Sequence, residues 1–305
     1  MRRMFRYAAL VLMLTLTASQ VCSVQATLTE EEQEAYRRKK EEKAARETET
    51  EAETESESEA DEAAEKEPET ETESASENAS QENTEKASEK EAVYIVAIDP
   101  GHQGPGQDMS GTEPVGPGSD VMKARLATGT SGVVSGLDEY ELNLEVSLQL
   151  RDELEERGYQ VVMTREDHDI DISNIGRCEV ANDAGADILV RIHANGSEDG
   201  SIRGALATAP SPTNPYIGSM AEKCVNLADT ILDAYCEETG LANRGLWITD
   251  DMTGMNWAKM PVTILEMGFM TNAEDDAYMA DADHQKLMVE GIADGIDVYF
   301  GRTSE

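Results

Sequence analysis

Positive charge is scarce in this 305-residue chain: 25 Lys and Arg stand against 63 Asp and Glu, a formal net charge of −38. That excludes a protein that grips nucleic acid through phosphate contacts, which need a basic face. Long apolar runs are missing too. The longest lies at the extreme N-terminus, so a polytopic membrane protein is excluded. Aromatic residues are only 5% and charged residues 29%, the composition of a disordered part joined to a globular one. The few cysteines, at unpatterned spacing, make no disulfide framework. Cys224 and Cys236 fall on one predicted helix, roughly 18 Å apart at 1.5 Å per residue, too far to bridge. They and Cys178 read as buried thiols, with a Cys178 bridge to one of the others left open. Nucleotide and serine-hydrolase signatures are absent as well. Gly101, Gly104 and Gly106 do not fit G-x-G-x-x-G, and there is neither a P-loop nor a G-x-S-x-G elbow.

What is present divides into three compositions. Residues 1–26 carry Arg2, Arg3 and Arg6 and no acid. This basic start, the apolar stretch Ala8–Ala18 and the small-residue site Val24-Gln25-Ala26 read as a secretory signal cleaved after Ala26. An uncleaved anchor is the alternative, although the apolar core is about half of the ~20 residues a span needs. Cys22 suggests a lipoprotein, but Val21 stands where a small residue is expected. Residues 27–91 hold 25 acids and 9 bases, a net of −16, with almost nothing apolar from Glu47 to Ala92. Such a segment cannot bury enough surface to offset its ordering entropy and is expected to be a disordered linker, either an extended spacer or a plain solubilising leader. Residues 92–305 hold 38 acids and 13 bases, a net of −25, at a normal size for one domain.

Within that domain, apolar strand-like runs alternate with helical periodicity. Strands are predicted over Val93–Ile98, Tyr159–Thr164, Ile188–Ile192, Gly204–Ala209, Gly245–Ile248 and Val262–Leu265. Helices are predicted over Glu139–Arg157, Asn174–Ala184, Ser219–Thr239 and Ala282–Phe300. In the first helix Leu142, Val146, Leu150 and Leu154 repeat every four residues and Gly158 closes it. The alternation argues an α/β fold, a single domain with a mainly parallel twisted sheet and helices on both faces. In such sheets the ligand site lies beyond the C-terminal strand ends.

Chemistry-bearing residues fall at those ends. Of four histidines, His102 and His193 sit directly after predicted strands. Glu266 directly follows another, and Glu139 opens the first helix. All four converge on one sheet edge. Two histidines and a carboxylate make a three-ligand set that leaves an open position for water on zinc, and a further carboxylate can serve as general base or acid. Spacing alone does not decide this, because a histidine after a strand is more often an ordinary loop residue.

The residues around each position add weight. Ile98-Asp99-Pro100-Gly101-His102-Gln103-Gly104, Glu139-Tyr140-Glu141-Leu142-Asn143-Leu144, Arg191-Ile192-His193-Ala194-Asn195 and Ile264-Leu265-Glu266-Met267-Gly268-Phe269-Met270-Thr271-Asn272 resemble, in order, four motifs of the zinc-dependent N-acetylmuramoyl-L-alanine amidases, the amidase_3 family of cell-wall hydrolases. The resemblance runs from about Tyr94 to Tyr299. It implies His102, Glu139 and His193 as zinc ligands and Glu266 as the catalytic glutamate, with Zn2+ as cofactor. It implies cleavage of the amide between the lactyl group of N-acetylmuramic acid and the L-Ala of the stem peptide. Arg191, Asn195 and Asn272 are candidate substrate contacts. Asn195 and Asn272 could equally hold turns, and the Arg191 side chain could point away from the metal. Trp247 and Trp257 could stack on substrate or pack in the core.

The expected partner is peptidoglycan, met by a secreted, wall-associated monomer with no nucleic acid and with an activator protein left open. The long Gly-rich stretch between His102 and Glu139 is read as a wall of the substrate groove rather than an inhibitory flap. Two other functions stay open on the sequence: a carboxypeptidase-like zinc peptidase, and a catalytically silent wall-binding protein.

Overall fold

A computed structural model describes residues 93–302. The expected signal segment and acidic linker, residues 1–26 and 27–91, lie outside the described residues. Strands β1 (Ile95–Pro100), β4 (Gln160–Met163), β5 (Ile188–Asn195), β6 (Ala205–Ala209), β7 (Asn243–Ile248) and β8 (Val262–Phe269) form one six-stranded sheet in the order β4-β1-β5-β8-β6-β7. The pairs β1–β4, β1–β5 and β5–β8 are parallel, as expected from the alternation of elements. Strand β6 runs antiparallel to β8 and carries β7 parallel to itself. The reversal matters for the site: β6 and β7 begin at the edge where β1, β5 and β8 end.

The helices are α1 (Glu139–Glu156), α2 (Asn174–Ala184), α3 (Ala221–Thr239), α4 (Thr253–Asn256), α5 (Ala273–Met279) and α6 (Ala282–Tyr299). Helices α1 and α3 each pack against α6, and α2 meets α4. The four-residue repeat of α1 does what its spacing predicts: Leu142, Val146, Leu150 and Leu154 are fully buried. Each such burial is worth about 1.5–3 kcal/mol. Helix α6 approaches α3 closely because Gly291 and Gly295 carry no side chain; a Cβ on Gly295 would stand 2.4 Å from the Ile231 Cα. No disulfide joins Cys178 to Cys224 or Cys236, so the open Cys178 bridge is not formed. Among the described residues no helix is long and apolar enough to cross a membrane.

Three differences from the sequence reading bear on the site. Strands β5 and β8 run past their predicted ends, so His193 and Glu266 lie within strands rather than after them. Their backbones still pair, His193 opposite Glu266, before the register shifts between His193 and Asn195. The Gly-rich stretch contains an antiparallel hairpin, β2 (Thr112–Pro114) with β3 (Met122–Ala124). The short helices α4 and α5 also went unread.

Candidate active site

The loop after β1 is built from backbone carbonyls that arginines collect. Asp99 is fully buried and bonds Arg177 and Arg191, each at 2.6 Å, and also Thr164. Burial works against its charge, but the two guanidiniums outweigh that and hold its carboxyl far below the usual range. With its charge matched, Arg177 donates onward to the Pro100 carbonyl at 2.6 Å and the His102 carbonyl at 2.7 Å. Arg165 donates to the carbonyls of Pro100, Gly101 and Tyr140. Held in this way, His102 takes φ = 58°, the one left-handed non-glycine among the described residues. That backbone is strained for a residue with a Cβ and persists because its surroundings over-determine it.

Three polar side chains then meet. His102 Nε2 and His193 Nδ1 each lie 3.1 Å from Glu139 Oε1. The proton on His102 can be placed. Its Nδ1 is 2.8 Å from the Ala127 carbonyl, which only accepts, so Nδ1 carries hydrogen. In neutral His102 the Nε2 lone pair therefore faces a carboxylate oxygen. Two acceptors at 3.1 Å need a positive charge between them, a second proton or a metal ion. The separation also matches metal ligation, since bonds of about 2.0–2.2 Å in a tetrahedron put ligand atoms roughly 3.3 Å apart. A third observation agrees: His193 Nε2 is buried and has no hydrogen-bond partner. One ligand-type atom from each of His102, Glu139 and His193 lies within 4.8 Å of the others. The donor set fits a divalent metal.

The charges are set for that role. Burial pushes His193 down to about 4, against an opposing hydrogen bond from Glu139, so its ring is neutral and free to ligate near pH 7. For His102, burial is outweighed by the Glu139 charge and hydrogen bond, and its value rises. For Glu139, burial is outweighed by the two imidazoles, and its value falls. Glu139 is further fixed by backbone donors, Thr130 N–H at 2.9 Å and Ala194 N–H at 3.2 Å, and by Asn143 Nδ2 at 3.3 Å. Glu266 sits across from His193 in β8 with no metal-type partner of its own. Burial, and then the negative charge of Glu139, raise its pKa to about 8, with Arg191 pulling the other way. A carboxyl so placed holds or yields a proton near neutrality.

Several contributions were not read from the sequence. A Cβ on Gly101 would lie 2.3 Å from His193 Cε1 and 2.4 Å from Nε2, so the ring rests on bare backbone there. The long loop supplies Ala127 and Thr130 directly to the ligands. It is fastened along its length, with Glu113 accepting from the Asn174 and Ile175 amides that open α2, and Trp257 Nε1 donating to Pro114 at 3.0 Å. Asp276 accepts from the Ser135 amide and hydroxyl. That anchoring suits a wall.

The three candidate substrate contacts all have partners within the protein. Arg191 is buried and bonded to Asp99 and to Asn174 Oδ1 at 3.0 Å, the alternative in which its side chain serves the interior. Asn195 is buried, and its Oδ1 accepts from the Gly196 amide. Asn272 is the N-cap of α5, accepting from the Glu274 and Asp275 amides and donating to Gly200. Trp257 is half-buried with its Nε1 bonded to the Pro114 carbonyl, and His168 is an exposed loop residue edge-on to Tyr140.

Comparison with known proteins places this geometry. The family model described as N-acetylmuramoyl-L-alanine amidase, Amidase_3, matches residues 96–298. The N-acetylmuramoyl-L-alanine amidase Rv3717 of Mycobacterium tuberculosis is 29% identical over 209 residues, 66% of this chain and 84% of the relative. An uncharacterised Bacillus subtilis protein, YqiI, is 29% identical over 172 residues, 56% of this chain and 79% of the relative. Among solved structures, the apo form of the N-acetylmuramyl-L-alanine amidase Ami1 of Mycobacterium abscessus superposes with a TM-score of 0.61 at 28% identity, over 68% of this chain and 98% of that one.

Proposed function

The chain belongs to the N-acetylmuramoyl-L-alanine amidase family, Amidase_3, and from that premise we propose how its own residues perform the reaction. The enzyme is a peptidoglycan amidase acting on the cell wall, and the family is metal-dependent. Our reading takes zinc as the metal, held by His102, Glu139 and His193. A zinc ion so held lowers the pKa of a bound water and polarises the scissile carbonyl. Those three residues would hold the ion, and Glu266 lies opposite one of them, His193, in the paired strand.

Glu266 is the general base and then the general acid. It takes a proton from the attacking water and delivers it to the amine of L-Ala as the amide bond breaks. Its raised pKa suits the second half of this cycle, and the negative charge of Glu139 helps to raise it. The Asp99–Arg177–Arg165 lattice and the Ala127 carbonyl orient His102, fixing the tautomer that ligates. Residues 1–26 serve as a secretory signal, 27–91 as an acidic spacer, and the catalytic domain starts at 92, which delivers the enzyme to its substrate outside the membrane.

The observation that supports this reading most is the pairing of Glu266 with His193 across β8 and β5, next to a ligand set that needs a cation. The test is Glu266→Gln. It should keep one zinc per chain and the wild-type melting temperature while peptidoglycan hydrolysis falls by about 10²–10⁴-fold. Full activity in that variant would remove Glu266 from the chemistry. Loss of zinc in it would make Glu266 a ligand instead.

A further inference from the structure

The active-site edge extends across the sheet beyond Glu266, and the antiparallel turn of β6 decides what lies there. Leu206 pairs with Glu266, and Ala205, beside it in β6, pairs with Asn243 of β7. Asn243 points to the α3 face, where its Nδ2 bonds Asp233 at 2.8 Å. The next residue, Arg244, therefore projects to the opposite face, the one that carries Glu266. Strands lie about 4.8 Å apart, so Arg244 starts about 10 Å from Glu266 along a row floored by Leu206.

The surroundings of Arg244 are unusual for this chain. Its domain carries a net charge of −25, and most of its basic side chains have carboxylate partners. Among the described residues Arg244 has none. Its Nη1 donates to the Arg203 carbonyl at 3.2 Å, and its guanidinium lies over Phe269, 5.7 Å from the ring centroid. One hydrogen bond leaves most of five N–H donors open, and the ring holds the planar group in place.

We propose that Arg244 receives a free carboxylate carried by the second residue of the stem peptide, the one after the L-Ala whose amide is cleaved. This rests on the amidase reading. Two extended residues reach about 7 Å from the scissile carbonyl, and the arginine side chain spans the remainder. A guanidinium fork matches a carboxylate with two hydrogen bonds, which a lysine or a neutral amide cannot copy. In an otherwise acidic domain this group attracts an anionic substrate that the rest of the surface repels.

The test compares two synthetic muramyl peptides, with the second residue's carboxyl free or converted to its amide, using the full chain with zinc. The wild type should favour the acid by about tenfold in kcat/KM, the effect residing in KM. In Arg244→Gln that ratio should collapse toward one, with zinc content unchanged, while Arg244→Lys keeps part of it. Raising the ionic strength should shrink the wild-type ratio, which gives a reading even if a variant misfolds. Equal use of both peptides by the wild type, or an unchanged ratio in Arg244→Gln, would overturn the assignment while leaving the amidase intact. Cleavage of a different bond would bring down the amidase reading and this inference with it.

Discussion

Replacing Gly101 with alanine isolates the support under one metal ligand. Gly101 is not among the left-handed glycines, so alanine adds no backbone strain and the added methyl acts alone. That methyl would stand 2.3–2.6 Å from three atoms of the His193 ring. Carbon atoms sit comfortably at about 3.5–4.0 Å, so the ring must retreat by roughly 1 Å. It cannot do so freely, because its Nδ1 is held 3.1 Å from Glu139 Oε1. Metal–ligand distances tolerate only about 0.2 Å. Zinc affinity should therefore fall by about 10–100-fold, the usual cost of losing a ligand's support. The overpacking should also cost about 1–3 kcal/mol in the metal-free protein. Zinc titration against a chromophoric chelator measures the first effect, and denaturant unfolding of the metal-free protein the second. Wild-type zinc affinity together with wild-type stability in Gly101→Ala would show that the His193 ring does not rest where this account puts it.

Other consequences follow from the buried charges. Asp99→Asn leaves Arg177 and Arg191 buried with their shared counter-charge removed, which should cost about 3–5 kcal/mol in denaturant unfolding; an unchanged midpoint would contradict the pairing. On α3, burial and then the neighbouring Asp233 raise the pKa of Asp229 from 3.8 to about 7. The folded state thus holds that proton longer than the unfolded chain. The contribution of Asp229 to stability is fully present below about pH 4 and is lost as pH climbs through about 7. Asp229→Asn should raise the melting temperature relative to wild type at pH 8 and not at pH 4. Equal differences at both would rule out the titration of Asp229 as the cause.

Much of the scaffold was legible because periodicity carries burial. Helix α2 has the bounds the sequence suggested, and the leucine repeat of α1 is its buried stripe. The strands were cut short at His193 and Glu266, since polar residues at strand ends read as loop while their backbones still pair. The antiparallel setting of β6 had no local signal, as it depends on partners more than 50 residues away in sequence. The two readings of Arg191 stayed open for the same reason: its partner Asp99 lies 92 positions back, so nothing local shows where the side chain goes. Asn272 did leave a signal. An Asn followed by Glu274, Asp275 and Asp276 is a helix start with acids in its first turn, and reading it so would have assigned the cap. The supports under the ligands, Gly101 and Ala127, act through bare backbone, which no side-chain pattern reports.

The most direct test of the central claim is the identity of the bond cut. Purified peptidoglycan digested by the zinc-loaded protein, with products resolved by mass spectrometry, should yield stem peptides with a free L-Ala amino terminus and glycan carrying intact lactyl groups. The same digest with Glu266→Ala should yield neither. Peptides released with any other new terminus, or the same products from the variant, would contradict the account.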